Sequence, residues 1–461
     1  MVVDYDLVIV GGTLEARQAA IAAAAQGARV ALVEPEVDRV ARSLQATYLS
    51  QVEVWQQWHH RLPTANWQSW QQWTASVSQQ QAALRSPQSL LAQGIDYIES
   101  PGQFCQLPQL AFAVNRRLLT ASAYLIATGF FTPLPPLPGL PPQIYTPETL
   151  AQLPEQPQRL AVLGATPAAW AIAQLFACLG TQVTLLLDDT WLKQPDLTLS
   201  HWLIAQLEAE GVEIAALAAV KQFTASETTD QICLGQSEVS VDQLIVASAP
   251  SLCSFDLGLE KIAVKQDGFG PITDDHLQTL HHRIFVLGSV LGRQGIRAIA
   301  PTEIALTIKN ALLLPRFSLT RRAVPWSIMT APAVASVGIT PEQAKAWYGK
   351  DAWFFKQPLY QVAQAQLLNQ TRGFCRLIVH RNGEILAGQI VSAQANELIQ
   401  PIAQAIAEQQ SIRAIARSPY LPQSLSAILV QTAQQWQTRH HSVGFWRRDW
   451  LENWFNWRRS R

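Results

Sequence analysis

The stretch of sequence that decides the fold runs from Asp6 to Ala16 and is DLVIVGGTLEA. An apolar run ends on the glycine pair Gly11-Gly12, and an alanine-rich segment of helical periodicity follows it. A second apolar run, Val30 to Val33, then ends on Glu34. Apolar strands separated by a glycine turn and a helix are typical of a βαβ unit. The chain is therefore predicted to begin with such a unit.

The stretch from Arg159 to Asp188 repeats this plan. The apolar run Leu160 to Leu163 ends on Gly164, a helix is predicted through Cys178, and a second strand ends at Leu187. Residues 160–187 carry no charge and are numerous enough to span a bilayer. Glycine and proline breaks, however, divide them into strand, helix and strand. We therefore expect two nucleotide-binding domains and no transmembrane helix.

The composition excludes several classes of protein. Of 461 residues, 48% are hydrophobic, and 34 basic residues balance 34 acidic ones. A nucleic-acid-binding protein needs a basic excess, and a disordered chain needs low hydrophobicity and high net charge. The first residues, Met1 to Asp6, lack the basic and apolar regions of a signal peptide, so a cytoplasmic location is expected. Five scattered cysteines without a CxxC pair predict no metal site, and Cys105 and Cys178 are expected to be buried apolar residues.

Three further segments organise the chain. Residues 51–93 are rich in Gln and Trp, and the spacing of the tryptophans predicts a helical pair that packs them onto the core. A proline-rich connector, Pro133 to Pro142, separates the two βαβ units. From about Val324, strand-like runs followed by a helix predict an α+β domain.

Several motifs occur in a characteristic order. Ala127-Thr128-Gly129 closes one predicted strand, Gly288-Ser289 closes another, and the segment Ala333 to Thr340 follows Val324. In this order the chain resembles the FAD- and NAD(P)-dependent pyridine nucleotide-disulfide oxidoreductases, which include dihydrolipoamide dehydrogenase, glutathione reductase and mercuric reductase. The resemblance covers residues 4 to about 435.

The resemblance implies an α/β fold with two Rossmann-like dinucleotide-binding domains and a C-terminal α+β dimerisation domain. It implies a homodimer that exchanges electrons with small molecules. The expected domains are a discontinuous FAD-binding domain (1–147 and 253–322), an NAD(P)-binding-like domain (148–252), a dimerisation domain (323–438) and a Trp/Arg-rich tail (439–461).

The candidate FAD site combines these motifs. A dinucleotide site needs small residues at the turn, a helix N-terminus for the pyrophosphate and an acid for the ribose. Thr13 and Ala16 stand where glycines are usual, and Glu34 is the acid. The residues expected to hold FAD are Gly11, Gly12, Thr13, Leu14, Glu15, Ala16, Glu34, Gly102, Ala127, Thr128, Gly129, Gly288, Ser289 and Ala300.

The second candidate nucleotide site departs further from the glycine pattern. Gly164, Thr166, Ala169 and Asp188 are the residues expected to contact NAD. No Arg or Lys follows Asp188 before Lys193, so a bound nicotinamide nucleotide should be NADH rather than NADPH, whose 2′-phosphate needs a cation. The alternative is a relic unit retained for packing.

The chain lacks the family's redox chemistry at two places. No cysteine occurs from Val37 to Val52, where the family has its redox disulfide, and the adjacent lysine is missing. Tyr420 and Leu425 stand at the positions of the catalytic His and its orienting Glu. Because the chain lacks this thiolate and this acid–base pair, reduction of disulfides or of mercury by the family mechanism is excluded unless a distant cysteine substitutes. The catalytic residues remain unassigned.

Two hypotheses of function stay open. The first is an FAD-binding oxidoreductase without a disulfide, passing electrons from NADH or another reductant to a non-thiol acceptor such as a quinone. The second is a catalytically degenerate dimeric scaffold, with or without FAD.

The tail also allows two interpretations. Residues 444–461 place Trp446, Trp450, Trp454 and Trp457 on one helical stripe beside several arginines. The stripe packs onto the body or across a dimer, or it attaches the protein peripherally to a membrane.

Overall fold

In the computed structural model, most of the chain is described. The described residues are 3–35, 39–62, 64–106, 109–132, 134, 143–187, 197–217, 220–224, 230–234, 237–248, 251–252, 257–267, 270–288, 301–442 and 445–460. They divide into two compact units, one formed mainly by the chain up to Arg321 and the other mainly by the chain from Arg322.

The elements before residue 313 include eight helices among the described residues. The helices are α1 (Leu14–Ala24), α2 (Arg39–Leu49), α3 (Val52–Arg61), α4 (Trp67–Ala83), α5 (Pro87–Ala92), α6 (Pro167–Cys178), α7 (Leu197–Ala209) and α8 (Pro301–Leu312). The strands are β1 (Tyr5–Val10), β2 (Val30–Glu34), β3 (Asp96–Glu99), β4 (Gly102–Cys105), β5 (Ala111–Val114), β6 (Arg117–Leu119), β7 (Ala121–Ile126), β8 (Phe130–Phe131), β9 (Ile144–Tyr145), β10 (Arg159–Leu163), β11 (Gln182–Leu187), β12 (Glu213–Ala216), β13 (Val220–Thr224), β14 (Asp230–Leu234), β15 (Ser237–Val241), β16 (Gln243–Val246), β17 (Ser251–Leu252), β18 (Gln266–Asp267), β19 (Gly270–Pro271) and β20 (Ile284–Val286).

The first sheet is parallel and has the strand order β20-β7-β1-β2-β3. Leu7 and Ile9 of β1 pack among residues of α1 and α8. Val8 and Val10 point to the other face, where the antiparallel strands β4, β5 and β6 supply Phe104 and Phe112. Both faces of β1 are therefore covered, which explains why Leu7 to Val10 are continuously apolar.

The second sheet is also parallel, with the order β12-β11-β10-β16-β9. Strands β13, β14 and β15 form a separate antiparallel sheet. Ile144 and Tyr145, which the sequence assigned to the first domain, pair with β16 in this second sheet. The boundary drawn at residue 147 is therefore too late, because the proline-rich connector gives no signal for so short a strand.

Four helices, α2 to α5, are inserted between β2 and β3. Trp55, Trp67 and Trp70 are buried on α3 and α4, and Trp73 is partly exposed. The Trp67 indole N–H donates to the carbonyl oxygen of Leu153 at 3.1 Å. The predicted pair of helices packing its tryptophans onto the core is confirmed, apart from the exposed Trp73.

The elements after residue 313 form an α+β arrangement. The strands are β21 (Trp326–Ile328), β22 (Ala333–Gly338), β23 (Ala352–Pro358), β24 (Phe374–His380) and β25 (Ile385–Ser392), in the sheet order β21-β22-β25-β24-β23. The helices are α9 (Pro341–Tyr348), α10 (Ala363–Leu367), α11 (Ala395–Leu398), α12 (Gln400–Ala407), α13 (Ile412–Arg417), α14 (Ala427–Ser442) and α15 (Phe445–Arg459). The predicted fold class, α/β with two parallel nucleotide-binding-type sheets and a C-terminal α+β domain, is confirmed. Among the described residues, no helix has the length and apolar character needed to cross a bilayer.

Candidate cofactor site

The glycine turn after β1 is closed against the end of β7. Gly11 has φ +141°, and a Cβ on it would lie 2.1 Å from the carbonyl oxygen of Ala127. The Ala127 N–H also donates to the carbonyl oxygen of Val10 at 2.8 Å. Only glycine allows so close an approach, so Gly11 fixes the first motif against the Ala127-Thr128-Gly129 motif.

Thr13 caps the N-terminus of α1. Its hydroxyl accepts a hydrogen bond from the Ala16 N–H at 3.1 Å and donates to the carbonyl oxygen of Ala127 at 3.0 Å. The N–H groups of Leu14 and Glu15 make no hydrogen bond within the described part of the chain. Unsatisfied N–H groups at the N-terminus of a helix are donors for a phosphate group.

The turn after β10 has the same geometry. Gly164 has φ +131°, and a Cβ on it would lie 2.2 Å from the carbonyl oxygen of Ala247. Thr166 accepts from the Ala169 N–H at 3.2 Å and donates to the carbonyl oxygen of Ala247 at 2.7 Å. The capping role of both threonines, which stand where glycines are usual, was not predicted from the sequence, although threonine before a helix is its usual signal.

The two turns differ at the first helical residue. Leu14 begins α1 with a backbone N–H, whereas Pro167 begins α6 without one. Because Thr166 already binds the Ala169 N–H, only Ala168 remains as a donor in the first three residues of α6. The first turn therefore offers a phosphate two N–H groups and the second offers one.

The acid expected to bind the ribose is engaged elsewhere. Glu34 is fully buried, and the Arg17 Nη2 atom lies 2.9 Å from its Oε1 and 2.8 Å from its Oε2. The Tyr97 hydroxyl donates to Oε2 at 3.0 Å, and the Arg17 Nη1 donates to the carbonyl oxygen of Arg85 at 2.8 Å. Burial raises the pKa of the Glu34 carboxyl, although the adjacent Arg17 acts to lower it. Glu34 presents no exposed carboxylate oxygen to a ribose in this structure.

Gly12 provides the space for this buried pair. A Cβ at Gly12 would lie 2.6 Å from the Cγ and Oε1 atoms of Glu34. The second glycine of the turn is therefore explained by contact with the carboxylate side chain.

The remaining predicted FAD contacts fall into three groups. Thr128 is buried, Gly129 has φ +73°, and Gly288 follows β20 beside β7, so these residues share the carboxyl edge of the first sheet. A Cβ on Gly102 would lie 2.4 Å from the Cε1 of Phe112, so packing in the antiparallel sheet accounts for this glycine. Ser289 and Ala300 lie outside the described residues, as does Asp188, which was expected to contact NAD.

No cysteine lies on α2, which follows β2 in the position expected for the redox disulfide. Cys375 is buried, and burial raises its pKa to about 12. Cys105 is partly buried. Cys178, expected to be a buried apolar residue, is exposed at the C-terminal end of α6, so that expectation was wrong.

The position of the acid–base pair is also apolar. Tyr420 is exposed, whereas Leu425 is buried in the core of the C-terminal sheet and its helices. Leu425 therefore contributes to packing and offers no carboxylate to orient a neighbouring base. The described residues contain no group of three His, Cys, Asp or Glu side chains that could hold a metal ion.

Two family models match this chain. Residues 5–310 match the pyridine nucleotide-disulphide oxidoreductase model, and residues 324–427 match the dimerisation domain of the same family. The chain belongs to the pyridine nucleotide-disulphide oxidoreductases, as its motif order indicated. The family consists of FAD-dependent oxidoreductases that use NAD(P)H.

Individual relatives agree with this assignment. The chain is 30% identical over 424 residues to a mercuric reductase of Staphylococcus aureus, covering 86% of this chain and 76% of that protein. It is similar to the solved structure of the HOCl-induced flavoprotein disulfide reductase RclA of Escherichia coli, with TM-score 0.79, 23% identity, and coverage of 93% and 99%. The structure of LpdA from Mycobacterium tuberculosis gives TM-score 0.82, 20% identity, and coverage of 93% and 99%. These two structures establish a shared fold.

Proposed function

We propose that the protein is an FAD-binding oxidoreductase that works without a redox dithiol. It passes electrons from NADH or another reductant to a non-thiol acceptor, such as a quinone. FAD, when bound, supplies the two-electron chemistry that connects such a donor with such an acceptor. The observation that carries the proposal is the pair of unsatisfied N–H groups, Leu14 and Glu15, beside Gly11 at the N-terminus of α1.

The phosphate end of the cofactor fits this arrangement. The strand order places β1 between β2 and β7, so the carboxyl edge between β1 and β7 is a topological switch point. Gly11, Ala127 and Gly288 all lie at this edge. A pyrophosphate there would accept hydrogen bonds from the N–H groups of Leu14 and Glu15.

The ribose end fits less well, because Glu34 is buried and paired with Arg17. A hydrogen bond to a charged group contributes about 1.5–3 kcal/mol, and in our proposal FAD lacks this contribution. The cofactor is therefore held mainly through its pyrophosphate. We expect FAD to dissociate more readily than in family members whose acid faces the ribose.

The second unit is proposed to bind NADH more weakly than the first binds FAD. Pro167 has no backbone N–H and so removes one phosphate donor from the start of α6. Electron donation by a different small reductant is consistent with this weak site.

A single substitution tests the phosphate site without disturbing the helix. Leu14→Pro removes one N–H group, and proline is favoured at the first position of a helix. Thr13 has φ −89° and ψ 163°, the extended conformation that a residue before proline needs. We expect wild-type protein to release about one FAD per chain on denaturation, as one Rossmann unit binds one dinucleotide. The Leu14→Pro variant should retain far less FAD than wild type. The melting temperature of its apoprotein should equal that of the wild-type apoprotein.

The matched control is Pro167→Leu, which restores an N–H to the equivalent position of the second turn. FAD content should not change in this variant, because the substitution lies in the other sheet's turn. Full FAD content in Leu14→Pro would contradict the proposed phosphate contact.

A second candidate function is a dimeric scaffold without redox activity. The Arg17–Glu34 ion pair favours it, because this pair uses the ribose-binding acid for stability. Wild-type protein that releases no flavin, and whose melting temperature does not rise with added FAD, would favour the scaffold. A ligand at a hundred times its Kd stabilises by about 2.7 kcal/mol, so binding is readily detected. The match to the dimerisation domain supports a homodimer in both cases.

A further inference from the structure

We propose that α15 docks the protein on the surface of an anionic lipid bilayer. The helix carries four large exposed aromatic side chains within eight residues: Trp450 is 63% exposed, Trp454 42%, Phe455 49% and Trp457 45%. The family models end at residue 427, so this helix lies beyond the part of the chain that they describe. The proposal does not depend on whether FAD is bound.

The tryptophan rings form one continuous face. The ring centroids of Trp450 and Trp454 are 5.8 Å apart with stacked planes, and those of Trp454 and Trp457 are 5.0 Å apart. The spacing of these residues follows the helical repeat, so the rings line up along one side of α15. A contiguous exposed aromatic face of this kind marks a surface that another phase or molecule covers.

The charge of the segment favours an anionic surface. Residues 444–461 contain five arginines against Asp449 and Glu452, a net charge of +3 in a chain whose total is zero. The rest of the chain therefore carries −3. Arg458 and Arg459 are exposed beside the aromatic face. Tryptophan at the boundary between apolar and polar regions, flanked by arginine, is the composition of helices that lie in a lipid headgroup layer.

The dimensions exclude a spanning helix. The 15 residues of α15 correspond to a length of about 22 Å, shorter than the hydrocarbon core of about 30 Å. Pairing of two copies of α15 would bring like charges together. In a peripheral position on an anionic bilayer, the aromatic face would be buried at the headgroup layer and the arginines would contact the anionic headgroups.

Vesicle flotation tests this docking. The full chain is mixed at low salt with vesicles of phosphatidylcholine containing phosphatidylglycerol, or with phosphatidylcholine alone. We expect the protein to float with the anionic vesicles, to float much less with neutral ones, and to be released by 0.5 M salt. Protein that stays at the bottom with anionic vesicles would overturn the proposal.

Variants separate the aromatic and charged contributions. Replacing Trp450, Trp454 and Trp457 together by Ala should abolish flotation, while Trp347→Ala, an equally exposed tryptophan on α9, should not change it. Arg458→Glu with Arg459→Glu should lower partitioning at least about tenfold. All three variants alter exposed residues, so the melting temperature should stay unchanged.

The outcome expected for a subunit interface is different. If the triple tryptophan variant floats like wild type but has half the mass by light scattering, the aromatic face joins two copies and the proposal is wrong.

Discussion

Arg17 and Glu34 form a buried ion pair in which a single guanidinium nitrogen lies within 2.9 Å of both carboxylate oxygens. The arginine comes from the second turn of α1 and the glutamate from the end of β2. The family uses an acid at this position for the ribose, whereas here the acid joins a helix to the sheet. In this structure both oxygens of the Glu34 carboxylate therefore contact Arg17 of α1.

Removal of the arginine should be costly. Arg17→Met leaves the carboxylate of Glu34 buried without its cation, and loss of one partner of a buried pair costs about 3–5 kcal/mol. Urea unfolding should show this loss, and the double variant Arg17→Met with Glu34→Gln should recover part of it. Arg29→Met, which removes an exposed ion pair with Asp6, is the control and should cost about 0–1 kcal/mol. Equal losses for the two arginines would contradict the account.

The glycine turn should tolerate no side chain. Gly11→Ala places a Cβ 2.1 Å from a backbone oxygen, so we expect poor folding and little bound flavin. Gly27→Ala is a matched control, because Gly27 also has a positive φ but has nothing within 4 Å of its added Cβ. The free energy of unfolding of the Gly27→Ala control should fall by about 1–2 kcal/mol, from backbone strain alone. A Gly11→Ala protein with the melting temperature of Gly27→Ala would show that the close approach is absent.

Glu53 should make stability depend on pH. Burial raises the pKa of Glu53 to about 7, from 4.5, despite a hydrogen bond from Gln57. Between these values the folded state holds a proton that the unfolded state has lost, so stability falls as pH rises. The melting temperature of Glu53→Gln relative to wild type should therefore increase from pH 5 to pH 8.

The control for this pH dependence is Glu342→Gln. Glu342 is exposed and is the second residue of α9, as Glu53 is the second residue of α3. Because Glu342 is exposed, its replacement should change the melting temperature little. Parallel curves for wild type and Glu53→Gln would contradict the assignment.

The exposed thiol should not take part in turnover. Cys178→Ser and Cys105→Ser should each leave any NADH-dependent reduction of a quinone unchanged, since neither lies on α2. Glutathione disulfide, lipoamide and Hg(II) should be reduced no faster than by free flavin. A lower rate in either variant would assign a redox role to a distant cysteine.

The repeated pattern of strand, glycine turn and helix predicted both parallel sheets. The positive φ values at Gly11 and Gly164 favour glycine, so these turns can be recognised from the local sequence alone. The Arg17–Glu34 pair was not predictable in this way. Its partners come from different elements, and a single arginine in an alanine-rich helix has the pattern of a solvent-exposed residue. The carbonyl oxygen of Arg85, which completes the contact, is farther still along the chain.

In the tail, too, the local helix was predictable from the sequence, whereas the tertiary packing of that helix was not. The helical stripe of tryptophans was predictable from spacing, and the structure places Trp450, Trp454 and Trp457 on a helix. Their exposure depends on what packs against α15, and the sequence left both possibilities open. Cys178 was misjudged for the same reason, since its exposure depends on where α6 ends.

The most direct test of the central claim is the number of electrons taken up per FAD during anaerobic titration with dithionite. A flavin with a redox disulfide accepts four electrons, two for each centre, whereas a flavin alone accepts two. We predict full bleaching at two electrons per FAD, with no long-wavelength charge-transfer band, because α2 carries no thiol. Uptake of four electrons, or a charge-transfer band that disappears in a cysteine variant, would contradict the account.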